Sequence, residues 1–209
     1  MKAFDIITET DARNLEIGSS VTLTPGGHVT PLAADTLSAR RITVHRGVAE
    51  ASLDGLAPVA EVRAVAIGSD HSGVALKAVL REYLRQKGLS VLDVGTNGPD
   101  AVDYPDIAAQ AARLVARKEV DAAIVIDGAG IGSAIAANKV DGVRAAMCND
   151  KTLARYAREH NGANVLTLGA TLISTDEAKG IVDTWLATPM GEARYIRRLV
   201  KVRALEKTQ

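Results

Sequence analysis

Ala122-Ala-Ile-Val-Ile-Asp-Gly-Ala-Gly-Ile-Gly132 is the stretch from which the rest of the chain is read. Five apolar residues run without a break, then meet a carboxylate, Asp127, and a glycine-rich loop. Successive side chains of a strand point to opposite faces, so an unbroken apolar run of strand length fits a strand covered on both sides. Such strands are parallel, and parallel neighbours need crossover segments, usually helices.

Working outward, that grammar holds. Residues 62–67 read as a buried strand, and 74–86 as an amphipathic helix closed by Gly88. A strand at 91–94 and a helix at 106–117 precede the central run. After it come a short helix around 133–138, a strand at 143–147 and a helix at 151–160. A strand at 164–168, a helix at 175–186 and a basic helix from about 192 to 205 complete the series. Strand–helix alternation with right-handed crossovers gives a Rossmann-like, doubly wound parallel α/β sheet of about five strands, over residues 62–209. Residues 1–60 read as a small N-terminal appendage. It has strand-like 4–7, a short helix 8–15, and a strand 20–24 ended by the turn Pro25-Gly26-Gly27. A helix at 30–40 and a strand at 42–44 follow, and 46–60 resembles a linker. So little apolar material argues for an interaction arm rather than an independent core.

Bulk properties narrow the function classes. The 209 residues carry equal numbers of acids and bases, so no electrostatic capture of nucleic acid or anionic membrane is expected. Aromatic content of 3% argues against stacking platforms for single strands. One cysteine, Cys148, and four histidines exclude a disulfide framework and give no clustered metal ligands. No apolar run spans a bilayer, and residues 1–9 lack the cationic start of a signal peptide, so a cytoplasmic protein is expected.

Ligands of such sheets bind beyond the carboxyl ends of the strands. Four places attract attention on that rule: Gly68-Ser-Asp-His-Ser-Gly73; Asp103-Tyr104-Pro105; Asp127 with Gly128, Ala129, Gly130 and Gly132; and His160-Asn161 at the end of a helix. Loop glycines permit close backbone approach, and amides at a helix start can hold an anion. A dinucleotide site would place that loop after the first strand, with an acid about twenty residues on; here it follows the third, which counts against NAD. Each place also has a plain structural reading. Asp70 can cap the turn near Ser72, and His160 can face the negative end of its helix. A carboxylate behind five apolar residues, as at Asp127, must be bonded to nearby amides or used in chemistry. Arg194, Arg197, Arg198, Lys201 and Arg203 form either a solvated face or a phosphate clamp.

Taken together, Gly68-Ser-Asp-His-Ser-Gly73, Leu76-Lys77, Asp103-Tyr-Pro105, Gly128-Ala-Gly-Ile-Gly132, Ile135-Ala-Ala-Asn-Lys139, Arg158-Glu-His-Asn161, Asn164-Val-Leu166 and Leu168-Gly169 closely resemble the ribose-5-phosphate isomerase B / galactose-6-phosphate isomerase family, over about residues 62–205. The resemblance implies aldose–ketose interconversion of a sugar phosphate through a cis-enediolate, with no cofactor and no metal. It implies a homodimer or dimer of dimers, with phosphate arginines typically reaching across the interface. Carried over, His160 opens the sugar ring, Asn161, Asp70, His71 and Tyr104 contact substrate, Gly128, Ala129, Gly130 and Gly132 line the enediolate, and Arg194 and Arg198 bind phosphate.

Several positions depart from the family pattern. Asp127 stands where the usual catalytic cysteine would be, and Ala129 replaces a hydroxyl residue of the loop. Some relatives carry a glutamate just beyond the loop, where this chain has Ser133. Thr171 stands where some carry a further arginine, and Tyr195 where a histidine often follows the first C-terminal arginine. Asp127 is then the candidate base, burial bringing a carboxyl toward a working pKa. The alternatives are altered substrate specificity or a non-catalytic sugar-binding relative. Residues 22–37 faintly resemble segments of bacterial microcompartment-associated enzymes, which would imply docking to shell or cargo through residues 1–60 and a location inside such a compartment.

Overall fold

A computed structural model of the chain describes residues 3–46, 56–57, 61–190 and 193–208. The chain forms two compact units, Met1–Leu53 and Asp54–Gln209. The division falls within the linker-like stretch 46–60, most of which lies outside the described residues.

The first unit is a small parallel sheet in the order β1-β2-β3, comprising β1 (Ala3–Ile7), β2 (Ser20–Val29) and β3 (Thr43–Arg46). Its crossovers are α1 (Glu9–Asn14) and α2 (Pro31–Ala39). Thr8 and Asp11 form a reciprocal capping box that starts α1, and Pro31 opens α2. Two expectations fail here. Pro25-Gly26-Gly27 does not end the second strand: pairing jumps from Phe4↔Leu23 to Ile6↔His28, so the intervening residues bulge and the ladder resumes. A side chain at Gly27 would lie 2.7 Å from the Asp5 carbonyl oxygen, which is why glycine stands there. Nor does the segment lack a core. Ile7, Ala12, Val21, Leu23, Ala33, Leu37 and Ile42 are buried in one cluster.

The second unit is the doubly wound sheet. Its strands are β4 (Ala64–Ser69), β5 (Ser90–Asp93), β6 (Ala122–Asp127), β7 (Ala145–Met147) and β8 (Val165–Gly169). All pairs are parallel and the order is β5-β4-β6-β8-β7. The helices are α3 (Val74–Gln86), α4 (Tyr104–Ala116), α5 (Ile131–Ala137), α6 (Lys151–Glu159), α7 (Thr175–Ala187) and α8 (Ala193–Ala204).

Every residue of β6 is buried, and its side chains divide between two cores by simple alternation. Ala122, Ile124 and Ile126 join Leu80, Leu84, Leu166 and Trp185. Ala123 and Val125 meet the alanine-rich faces of α4 and α5, Ala108, Ala111, Ala112 and Ala137. From β4 the chain winds outward to β5, then returns to the other side of β4 as β6. The strand order therefore reverses between β4 and β6, where doubly wound sheets leave a crevice for ligands.

Candidate active site

At the carboxyl end of β4, Asp70 is extended and nearly buried, and the chain turns at once through His71–Gly73. Asp70 Oδ1 accepts from the Ser72 amide (2.9 Å), the Ser72 hydroxyl (2.6 Å) and the Gly73 amide (3.3 Å). Its own amide donates to the Ile126 carbonyl oxygen at 3.1 Å, locking the two strand ends together. The capping reading of Asp70 is realised, and Oδ2 stays outside these bonds. His71 is exposed beside it.

Across the crevice, Asp127 ends β6 and is 5% exposed. Oδ1 accepts from the amides of Ala129 (2.9 Å) and Gly130, and Oδ2 from that of Ser133 (2.8 Å). The glycine loop thus folds around an internal anion. Gly130 sits in the left-handed region (φ 79°), and an added Cβ would lie 2.9 Å from the Leu168 carbonyl carbon. Two side-chain bonds fasten the loop from the β8 side: Thr171 Oγ1 donates to the Gly128 carbonyl oxygen (2.6 Å), and Thr167 Oγ1 to that of Gly130 (2.7 Å). The Tyr104 ring, at the start of α4, covers Gly132, where a Cβ would lie 2.5 Å from its Cζ. Asp70, His71, Tyr104, Asp127, Gly128, Ala129, Gly130 and Gly132 therefore gather at one end of the sheet.

This geometry changes one expectation. Asp127 holds three amides, those of Ala129, Gly130 and Ser133, so the loop amides outside these bonds are those of Gly128, Ile131 and Gly132. An asparagine at 127 would also set its amide against the Ser133 or Ala129/Gly130 N–H groups, so it does not preserve the loop as a neutral isostere.

His160 and Asn161 lie elsewhere. They close α6 and precede β8, which puts them at the amino end of the sheet. There the Arg144 side chain, just before β7, donates from Nε to the Gly162 carbonyl oxygen at 2.9 Å. The carboxyl-end rule thus misplaced them: four residue steps of β8 alone span about 13 Å, farther than one small sugar reaches. The His160 ring stacks on Tyr156 (centroids 4.7 Å apart) and on Tyr195 of α8 (4.6 Å). Arg198, exposed, lies over Tyr195 at 5.7 Å. Arg194 belongs to α8, with its side chain outside the described residues. A cavity of about 590 Å³ opens at this end, lined by Lys139, Arg144, Asn161, Leu199, Val202 and Glu206 among others.

One family model spans the residues at both ends. The description Ribose/Galactose Isomerase matches residues 65–202. The chain belongs to that family. It is 39% identical over 145 residues to ribose-5-phosphate isomerase B of Escherichia coli K12, covering 69% of this chain and 97% of the relative. It is 41% identical over 124 residues to D-erythrulose-4-phosphate isomerase of Pectobacterium atrosepticum, covering 58% of this chain and 81% of the relative. Among solved structures, ribose-5-phosphate isomerase B of Clostridium thermocellum superposes with a TM-score of 0.68 at 45% identity, over 69% of this chain and 97% of that one. The Mycoplasma genitalium enzyme with bound ribulose-5-phosphate gives 0.68 at 38% identity, over 71% and 99%.

Within this ribose/galactose isomerase fold, two residues of the motif string make buried contacts that the string itself does not announce. Lys77 is 1% exposed and donates to Asp93 Oδ1 (2.6 Å) and Asn97 Oδ1 (2.8 Å), while Arg81 reaches Asp93 Oδ2 (2.7 Å). Burial pushes the Asp93 carboxyl up, but Lys77, the Gly95 amide and Arg81 together bring it below its ordinary value. The available signal was Lys77's place on the apolar face of α3, in step with Leu80 and Leu84. The second is Arg158, also 1% exposed, whose guanidinium lies 4.8 Å over the Trp185 ring. Burial, then neighbouring Arg144, lowers it to about 10. Cys148 is 1% exposed, and burial followed by Asp150 pushes its thiol up to about 12, leaving it no role as a thiolate. Among the described residues no cluster of metal-binding side chains occurs, and no helix is long and apolar enough to cross a membrane.

Proposed function

We propose that this chain is an aldose–ketose isomerase for a sugar phosphate of four to six carbons, working as a homodimer or dimer of dimers. In each site the Asp70–Asp127 end of one subunit meets the His160–Arg198 end of its partner. The supporting observation is polarity: groups that must touch one small substrate stand at opposite ends of one sheet, and a two-fold arrangement brings unlike ends together. Ribose 5-phosphate with ribulose 5-phosphate and the four-carbon erythrulose 4-phosphate are the first substrates to try, since relatives of both names align with the chain.

In this reading His160 assists ring opening, and Arg198 and Arg194 hold the phosphate by charge-assisted bonds. Asp127 removes the C2 proton of the open-chain aldose, and the electron pair moves through C1–C2 onto O1. The resulting cis-enediolate lies against the amides left to the glycine loop. The proton then returns to C1 while the O2 hydroxyl proton passes to O1, giving the ketose. A carboxylate offers about four lone-pair directions, and three are occupied, which leaves one on Oδ2 for the proton.

The same bonds favour a second reading, in which Asp127 only fastens the loop and the chain is a non-catalytic sugar-binding relative. One experiment separates them: a conversion screen over four-, five- and six-carbon sugars, with and without phosphate, comparing the natural chain and Asp127→Asn. As a base, Asp127 is worth at least about a hundredfold in turnover on a sugar that the natural chain converts, beyond any weakening of analogue binding that the disturbed loop brings. As a fastener alone, its loss lowers the melting temperature while no sugar turns over in either protein.

The first unit, with its own core, supports a docking module. Shell proteins of a microcompartment should co-purify with the full chain and be lost when residues 1–53 are removed.

A further inference from the structure

Five side chains form one column at the amino end of the sheet: Arg155, Tyr156, His160, Tyr195 and Arg198. The Arg155 guanidinium lies 4.6 Å over the Tyr156 ring. Tyr156 and His160 are 4.7 Å apart with planes 16° apart, and His160 and Tyr195 are 4.6 Å apart at 29°. Arg198 closes the column 5.7 Å over Tyr195. A cation lies over the ring at each end of the column and three rings stack between them, contacts that ring quadrupoles favour.

We propose that Tyr195 is a positioning residue that holds His160 and Arg198 in one register, with Tyr156 as the opposing jaw on the imidazole. Three observations carry this. Tyr195 is 5% exposed, whereas His160 keeps a third of its side chain open and Arg198 is exposed, so the buried member lies between two accessible ones. The rings cover both faces of the imidazole and leave its nitrogen-bearing edge as the part that can meet a sugar. The Glu159 carboxylate stands 3.7 Å from Nε2, too far for a hydrogen bond that would fix the ring. Stacking therefore does here what a carboxylate or carbonyl partner commonly does for a catalytic histidine. Tyr195 and Arg198 are three apart on α8, and Tyr156 and His160 four apart on α6 and its cap, so each helix presents its pair on one face. The column also ties the two helices together.

The inference rests on the proposed isomerase reading, and it assigns Tyr195 to a particular step. Sugars of five or six carbons close into rings and need opening, whereas a four-carbon sugar 4-phosphate has its terminal hydroxyl esterified and cannot close a furanose. Misaligning His160 should therefore slow ring-forming substrates more than open-chain ones, and misplacing Arg198 should raise KM for both.

The test compares Tyr195→Leu, which keeps the bulk without an aromatic face, with Tyr195→Phe, which keeps the ring. In Tyr195→Leu, kcat on ribose 5-phosphate should fall about two- to tenfold more than on erythrulose 4-phosphate, and KM should rise for both, while Tyr195→Phe restores both parameters. An activity-independent reading comes from NMR of the His160 ring protons, identified by their loss in His160→Gln. The flanking rings should shift them upfield in the natural chain and in Tyr195→Phe, and the shift should shrink in Tyr195→Leu. An unchanged shift in Tyr195→Leu, or an unchanged ratio between the two substrates, overturns the positioning role. If the natural chain converts no sugar phosphate, the isomerase reading fails and the ring-proton shift alone decides whether the clamp exists.

Discussion

The two ends of the sheet are built by different physics. At the carboxyl end, the chain's backbone shapes the candidate site: Asp70 and Asp127 each collect neighbouring donors, and glycines at 73, 130 and 132 allow packing that a Cβ would block. At the amino end, side chains shape the proposed partner half, stacked in a column between α6 and α8. Backbone-built sites tolerate few substitutions because the donors belong to the fold itself. Sites built by stacking depend on faces and volumes, and respond to substitution in a graded way.

The difference predicts a range of mutational effects. The largest belongs to the support beneath the carboxyl end. Asp93→Ala leaves the Lys77 ammonium buried with Asn97 as its remaining acceptor among the described bonds, so stability should fall by about 3–5 kcal/mol in denaturant titration. The sign with pH follows from Asp93's lowered value. Its contribution is complete above the ordinary carboxylate range and is lost as pH falls below about 4 and through the folded value. Asp93→Ala should therefore flatten the acid limb of the natural chain's stability profile; an identical limb would remove the ion cluster from the account.

An intermediate effect belongs to the amino end. Arg198→Ala should raise KM for a sugar phosphate about ten- to a hundredfold, with kcat less affected, because a charge-assisted contact is worth roughly 1.5–3 kcal/mol in ground and transition states alike. Equal KM values for the two proteins would free this end of phosphate binding. The smallest effect concerns Cys148, which belongs to neither end. A thiol pushed to about 12 should stay unlabelled by iodoacetamide at neutral pH in the folded protein, with activity intact. Rapid labelling with loss of turnover would reopen the assignment of the base.

Much of this was legible in the residues. Unbroken apolar runs marked the sheet of the second unit, and the glycine loop marked its crevice. The motif string identified the family. What escaped was three-dimensional. The Pro25-Gly26-Gly27 turn is a bulge because pairing with β1 resumes beyond it at His28. The bonds that occupy Asp127 come from amides two, three and six residues onward, and only the folded loop brings them together. Tyr156, His160 and Tyr195 come from two helices, and no local pattern announces their stack. The polarity of His160 was readable in principle, since a residue that closes a helix and precedes a parallel strand sits at that strand's amino end.

Whether the two ends form one site across a subunit interface can be tested by complementation. Asp127→Asn and Arg198→Ala are each prepared as pure protein, then mixed in equal amounts after gentle dissociation and reassociation. Random pairing makes half the dimers mixed, and each mixed dimer carries one site free of either substitution, so at substrate far below the raised KM of Arg198→Ala activity should recover to about a quarter of the natural chain's. If the residues instead served one subunit's own site, every site in the mixture would keep one substitution. Activity no higher than the average of the two parents, with mixed dimers shown to be present, would contradict the shared site.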